Sequence, residues 1–375
     1  MKFKSPQIML ILMCFTMCNQ KAQDENSIFV DLDNPENVSL FDYFRFIELI
    51  PLETSQDVLI ADITKIILHQ NIIYVLDQKQ SIIFVFDQKG EFLLKIDKKG
   101  QGPGEYSSVQ DININPFSGN LEILEPYGSL HIYDLSGNYI ETKRVTYDGF
   151  HAVHGFAIAA NNIHLFYTRF DPKKFIYFNL DEKKLLREEF TENREISRLL
   201  GAKSLYQYQD EWYIFRPIHP VVYKVGQEKL EVAFQFNFGA YTKEGKTGTF
   251  SDESRSNWSK YLEEVFAQFP YSMNTVRHNS KYVLALLSWK DLNRMANVIY
   301  DNSAGESKFI LNFKEKVRFE PDILTDDYVL ANCNWGDLKK YITKEMLDDT
   351  QKKIFEELVQ SEDETNPILI KYWFK

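Results

Sequence analysis

Ile73-Tyr74-Val75-Leu76-Asp77 followed by Phe84-Val85-Phe86-Asp87-Gln88-Lys89-Gly90-Glu91-Phe92 returns, in altered spelling, as Leu121-Glu122-Ile123-Leu124-Glu125 followed by Leu130-His131-Ile132-Tyr133-Asp134-Leu135-Ser136-Gly137-Asn138-Tyr139. Each copy holds two apolar runs and then an Asp-x-x-Gly tetrapeptide. β-Branched and aromatic runs suit a pleated, buried surface. The aspartate side chain starts a tight turn, and the glycine accepts the positive φ near its end. The turn glycines Gly90 and Gly137 stand 47 positions apart. A repeat of roughly 40–50 residues built from short strands is the mark of a propeller blade.

Looser copies extend the pattern. Ile163–Phe166 with Phe175–Leu180 reads as a third blade, Trp212–Phe215 with Val221–Gly226 as a fourth, and Tyr282–Leu287 with Asn297–Asp301 as a fifth. The spacing between the last two is stretched by an insertion at about 240–272. It contains an expected helix over about Asp252–Gln268, capped by Ser251 or Asp252, with Trp258, Tyr261, Leu262, Val265 and Phe266 on one face. A ring must join its ends, because an open propeller leaves an unpaired strand edge. The sixth blade is therefore expected to combine Phe46–Ile50 with Pro367–Phe374. A helical stretch at about 335–360 precedes that closing strand; Leu338, Tyr341, Ile342, Met346, Leu347, Ile354, Phe355 and Leu358 suit packing on the ring. The reading is all-β: one six-bladed β-propeller over residues 28–375.

The 375 residues carry a formal charge of −11 with no clustering of basic residues, which argues against nucleic acid as a partner. Lys2 and Lys4 precede Ile8–Met17, an uncharged run too short to cross a bilayer and suited to a secretory signal. Residues 1–17 are read as a signal peptide and 18–27 as a tether, with Cys18 the expected lipid attachment site. Cleavage near Ala22 is the alternative and would give a soluble periplasmic or secreted form. Losing Lys2 and Lys4 with the signal takes the charge from −11 to −13. The folded body then holds a single cysteine, Cys333, so no disulfide can form within it.

Few residues point to chemistry. Gly100-Gln101-Gly102-Pro103-Gly104-Glu105-Tyr106 has the wrong glycine spacing for a phosphate loop and is followed by strand-like alternation, Ile112 and Ile114 against Asn113 and Asn115. It reads as a blade-to-blade connection near the ring mouth, with Gln101, Glu105 and Tyr106 as candidate ligand contacts. Tyr127 and Trp258 join them as aromatic side chains able to stack on a ligand. His151, His154 and His164 are the histidine group that would hold a metal if they converged, with Asp148 as a fourth ligand. No Gly-x-Ser-x-Gly elbow occurs, and Asp31–Glu36 places Pro35 where a calcium loop would need a ligand.

The segments Phe84–Phe92, Lys99–Tyr106, Ile50-Pro51-Leu52-Glu53-Thr54 and Glu362–Leu369 together resemble the NHL-like six-bladed β-propeller lipoproteins abundant in gut anaerobic Gram-negative bacteria. That resemblance covers nearly the whole chain from about Ile28. It implies a ring on a lipid anchor at the cell envelope, held in the outer membrane and facing the periplasm or the surface. It implies no reaction. The expected function is a binding or scaffolding module for a protein, peptide or glycan, acting as a monomer, with no cofactor and with the membrane touched only through the lipid. The alternative is a hydrolase or lyase with a metal in the central channel.

Overall fold

The computed structural model describes residues 26–150, 152–168, 175–190, 204–242, 251, 253, 257–360 and 365–375. These form six sheets, five antiparallel ones of four strands and one of five strands. Blade one comprises Lys65–His69, Ile72–Asp77, Ile82–Asp87 and Phe92–Ile96; blade two comprises Asp111–Ile114, Leu121–Leu124, Ser129–Tyr133 and Tyr139–Arg144. Blade three spans Val153–Ala160 to Lys184–Glu189, blade four Leu205–Tyr208 to Leu230–Asn237, and blade five Tyr271–His278 to Glu306–Ile310. Each runs as a meander from its innermost to its outermost strand. Blade-to-blade connections and second-to-third-strand turns therefore gather on one face of the ring.

Alternation along a strand explains how blades stack. In blade one, Tyr74, Leu76, Ile83 and Val85 pack with Ile112, Ile123 and Tyr133 of blade two. Ile73, Val75, Phe84 and Phe86 point the other way and pack with Leu330 and Leu369 of blade six. Both faces of a middle strand are thus apolar, as in any sheet covered on both sides. Similar clusters fill the junctions of blades two and three, three and four, four and five, and five and six.

The ring closes as the sequence requires. Phe44–Pro51 pairs antiparallel with Ile368–Phe374 along seven residue pairs, from Phe44 opposite Phe374 to Pro51 opposite Ile368, and Ile368–Phe374 pairs in turn with Tyr328–Cys333. The two ends of the chain share blade six. Ser27–Phe29, at the boundary of the expected tether and ring, adds a fifth, parallel strand to the outer edge of blade four, opposite Gln235–Asn237. From there the chain crosses the rim of blade five, where the Glu36 amide donates to the Phe309 carbonyl and the Glu36 carboxylate pairs with Lys308 at 2.6 Å.

The turns repeat as read. Asp87 Oδ1 accepts from the Lys89 and Glu91 amides, and Asp134 Oδ1 accepts from those of Ser136 and Asn138. Gly90 has φ +88°, and a Cβ there would lie 2.3 Å from the Pro51 carbonyl oxygen. The inserted helix is described over Trp258–Gln268, where Asn257 Oδ1 accepts from the Lys260 amide at 3.1 Å as its cap; residues 252 and 254–256, and with them the expected cap Asp252, lie outside the described residues. The C-terminal helical stretch is broken into a 3₁₀ turn at Trp335–Asp337, a single turn at Leu338–Tyr341, a second 3₁₀ turn at Lys344–Met346 and a helix at Asp349–Gln360. Its expected apolar positions cover blade six.

Candidate functional site

The innermost strands surround a central cavity of about 400 Å³, lined from blades one, two, four, five and six. A ring of innermost strands converges without filling its axis, so the polar residues on them meet across the channel rather than in a core. Two clusters of charge result.

The first is built on Lys65 of blade one. Its ammonium donates to Asp111 Oδ1 at 2.7 Å and to Asn113 Oδ1 at 2.8 Å, both from blade two. It also lies 5.6 Å from the ring centroid of Trp212 in blade four, so the side chain reaches across the channel. Asp111 Oδ2 accepts the Phe156 amide of blade three at 3.1 Å, and Asn113 donates back to the Phe156 carbonyl at 2.8 Å. Gly155 permits this approach: a Cβ there would sit 3.0 Å from Asp111 Oδ2. The ammonium is therefore met by a carboxylate oxygen, an amide oxygen and a ring face. The indole N–H of the buried Trp212 has no acceptor among the described residues.

The second cluster is built on Arg277 of blade five, 7% exposed. Its Nε–H donates to the Asp322 carbonyl of blade six at 2.6 Å, and Nη1 donates to the Val276 carbonyl at 2.7 Å. The Tyr206 ring of blade four lies 5.1 Å from the guanidinium. Burial lowers the Arg277 pKa, opposed by Asp322 and Tyr206. Burial raises that of the Tyr206 hydroxyl, which shares a hydrogen with His278 Nδ1 at 2.8 Å. Burial pushes His278 down to about 4, against the pull of Glu211, so the imidazole is neutral at pH 7. Asp326 accepts from Ser280 and from the Tyr208 hydroxyl. Burial alone would raise its pKa, and these bonds hold it below the ordinary value.

The residues named from the sequence lie elsewhere. Gln101, Glu105, Tyr106, Tyr127 and Trp258 all sit on connections that share one face of the ring, and none lines the channel. Tyr106 is 1% exposed; its hydroxyl donates to the Ile96 carbonyl and accepts from the Lys98 amide. It is a core residue of the junction between blades one and two, and that use of both hydroxyl functions removes it as a ligand contact. Glu105 is spent on its own loop, accepting the Gly102 amide at 2.7 Å. That loop packs outward on blade two, where Tyr133 donates to the Gly104 carbonyl. Gln101 is exposed at the rim. Tyr127 is 66% exposed and Trp258 44% exposed, the latter stacked on Tyr261.

His154 and His164 do not meet. His164 is buried in blade three opposite Ile158, its Nε2 2.7 Å from Glu122 Oε2 of blade two. His154 stacks on Tyr167 and stands four residues from Ile158 along its strand, about 13 Å at ordinary strand rise. Asp148 is on an exposed connection; His151 and Cys18 lie outside the described residues. Among the described residues no three His, Cys, Asp or Glu side chains group to hold a metal ion.

Lys65, Asp111, Asn113, Tyr206, Trp212 and Arg277 were not singled out from sequence. The signal was nonetheless present in part: Lys65 heads an aliphatic run, Ile66-Ile67-Leu68, with no alternation, but polar residues alternate with aliphatic ones in Asp111-Ile112-Asn113-Ile114. Such a strand has one face on a neighbouring blade and the other on the channel.

Comparison with known proteins agrees with the architecture. The model of the family described as "Domain of unknown function (DUF4934)" matches residues 26–372. A crystal structure from Bacteroides fragilis, named a "Putative exported protein", is similar over 93% of this chain and 99% of its own, with TM-score 0.66 and 18% identity. A member of the DUF4221 family from Bacteroides vulgatus is similar over 88% of this chain and 97% of its own, with TM-score 0.56 and 11% identity. At those identities the likeness is one of fold. No protein of curated function matches. Among the described residues no helix is long and apolar enough to cross a membrane.

Proposed function

The chain belongs to the DUF4934 family, and we propose that it is an exported binding module that receives its ligand, a glycan or peptide end, in the central channel of the ring. The observation that carries this is the channel itself. It offers about 400 Å³ and sets the rings of Tyr206, Tyr208 and Trp212 beside two charged clusters that are fixed by neighbouring blades. A concave site of that size with apolar walls and a few oriented polar groups is the usual form of a small-ligand pocket. The rim aromatics Tyr127 and Trp258 are a secondary contact surface in this reading.

Glycan and peptide arrays probed with the intact chain test it. Leu205→Trp, which fills the channel from blade four, abolishes the signal, whereas Tyr127→Ala at the rim retains it. Binding that survives Leu205→Trp and is lost in Tyr127→Ala moves the site to the rim and refutes the channel reading.

Export is supported by Lys2, Lys4 and the apolar run Ile8–Met17, and by the name given to the Bacteroides fragilis relative. The same segment, with the resemblance to NHL-like envelope lipoproteins, supports acylation at Cys18 and a monomer tethered at the outer membrane. In cells fed a radiolabelled fatty acid, the wild-type chain takes up label and Cys18→Ala does not. Equal labelling of the two excludes Cys18 as the anchor.

A further inference from the structure

We propose that the channel takes a singly charged carboxylate on a ring-sized body and that Arg277 receives the carboxylate; this rests on the channel being the ligand site. Arg277 has unmet hydrogen-bonding valence. A guanidinium carries five N–H donors. In Arg277 one goes to the Asp322 carbonyl and one to the Val276 carbonyl, leaving three without an oxygen acceptor among the described residues, with the Tyr206 ring 5.1 Å from the guanidinium. No carboxylate among those residues lies within ion-pairing distance of it.

The other charged groups of the channel are engaged. Lys65 is held by Asp111, Asn113 and the Trp212 ring. Asp111 also accepts the Ile112 and Phe156 amides. Asp322 accepts both the backbone amide of Asn332 and its side-chain amide. Asp326 accepts from Ser280 and Tyr208. Among the described residues Arg277 is buried with no carboxylate in ion-pair contact, the Asp322 charge acting on it only from beyond that distance, a costly state unless a ligand completes it.

Geometry selects the class of anion. The unused N–H groups on the two terminal nitrogens form a planar fork that matches a carboxylate bidentately. Asp322 and Asp326 line the same cavity and disfavour a dianion such as phosphate. Tyr206, Tyr208, Ile66 and Leu205 supply walls for a ring. Uronic acids and aromatic acids share this chemistry, and the experiment separates them.

Calorimetric titration of the intact chain uses glucuronate, galacturonate and benzoate, with glucose, galactose and benzamide as neutral counterparts and inorganic phosphate as the competing anion. At least one carboxylate binds, and its neutral counterpart binds at least about 10-fold more weakly, as expected for loss of a charge-assisted pair. Sugar acids binding ahead of benzoate identify a glycan end; the reverse order identifies an aromatic acid. Arg277→Met loses the binding. Arg277→Lys keeps the charge without the fork, so it weakens binding about 10-fold and keeps the assignment testable if the methionine variant misfolds. Wild-type affinity in Arg277→Lys, equal binding of a neutral counterpart, tighter binding of phosphate, or no carboxylate binding at millimolar concentration each overturn the assignment. If a neutral sugar binds and Leu205→Trp abolishes it, the channel reading survives and the role of Arg277 falls.

Discussion

Replacing Lys65 by methionine tests whether the channel polar network is desolvated and fixed, as a binding site built on it requires. Methionine keeps most of the stem and removes the ammonium. Asp111 then loses its 2.7 Å ion pair and keeps only the Phe156 and Ile112 amides, while the buried Asn113 loses a donor at 2.8 Å. Breaking a fully buried pair costs about 3–5 kcal/mol. The Lys65 side chain is 25% exposed and that of Asp111 12%. Partial solvation therefore lowers the expected loss for Lys65→Met to about 2–3 kcal/mol in urea-unfolding free energy. Asp111→Asn in the Lys65→Met background restores neutrality, so the double variant recovers part of the loss. The cycle returns a coupling of about 2 kcal/mol. A loss below about 0.5 kcal/mol for Lys65→Met, with coupling near zero, would mean that the ammonium is water-screened like a surface pair, and the reasoning would fail.

Ring closure predicts that a chain ending before Ile368 leaves Phe44–Pro51 unpaired and yields insoluble protein; a soluble product with the wild-type circular dichroism spectrum would show that the ring does not depend on the closing strand. Gly90→Ala costs about 2 kcal/mol, because it combines positive φ with a 2.3 Å clash on the Pro51 carbonyl. Gly119→Ala, at φ +72° with open space around it, costs less, about 1 kcal/mol; equal losses in a denaturation series would contradict the clash argument. His278 is held at about 4 against 6.5 unfolded, so the folded state prefers the neutral ring. The stability this gives is full above about pH 6.5 and is lost progressively as pH falls from there through 4, on the order of 3 kcal/mol. His278→Gln flattens that part of the stability–pH curve, and an unchanged curve would exclude His278 as its source.

The sequence disclosed the middle of each blade and hid its edges, for a physical reason. Second and third strands such as Ile72–Asp77 and Ile82–Asp87 lie between blades and are apolar on both faces, so they recur visibly. Outer strands such as Tyr139–Arg144 are mostly exposed and carry Glu141, Lys143 and Arg144, with no apolar run to recognise. Inner strands carry the channel residues: Asp111 and Asn113 are polar yet buried, and besides the Ile112 amide on Asp111 their partners are Lys65 and the Phe156 backbone on other blades. Those partners are tens of residues away, so no local window could have linked them. The parallel strand Ser27–Phe29 was hidden for a similar reason, since its pairing with Gln235–Asn237 is set by the closed ring and not by any turn. Tyr106 illustrates the converse error: a glycine-rich setting drew attention to a tyrosine that the fold uses as core.

The most direct test of the account is a crystal structure of the chain with the tightest ligand from the arrays or the carboxylate series. The account predicts density inside the channel, between Arg277 and the Trp212 side, with the ligand's acid on the Arg277 fork. Density at Tyr127 or Trp258 on the rim, with the channel holding only solvent, would contradict it.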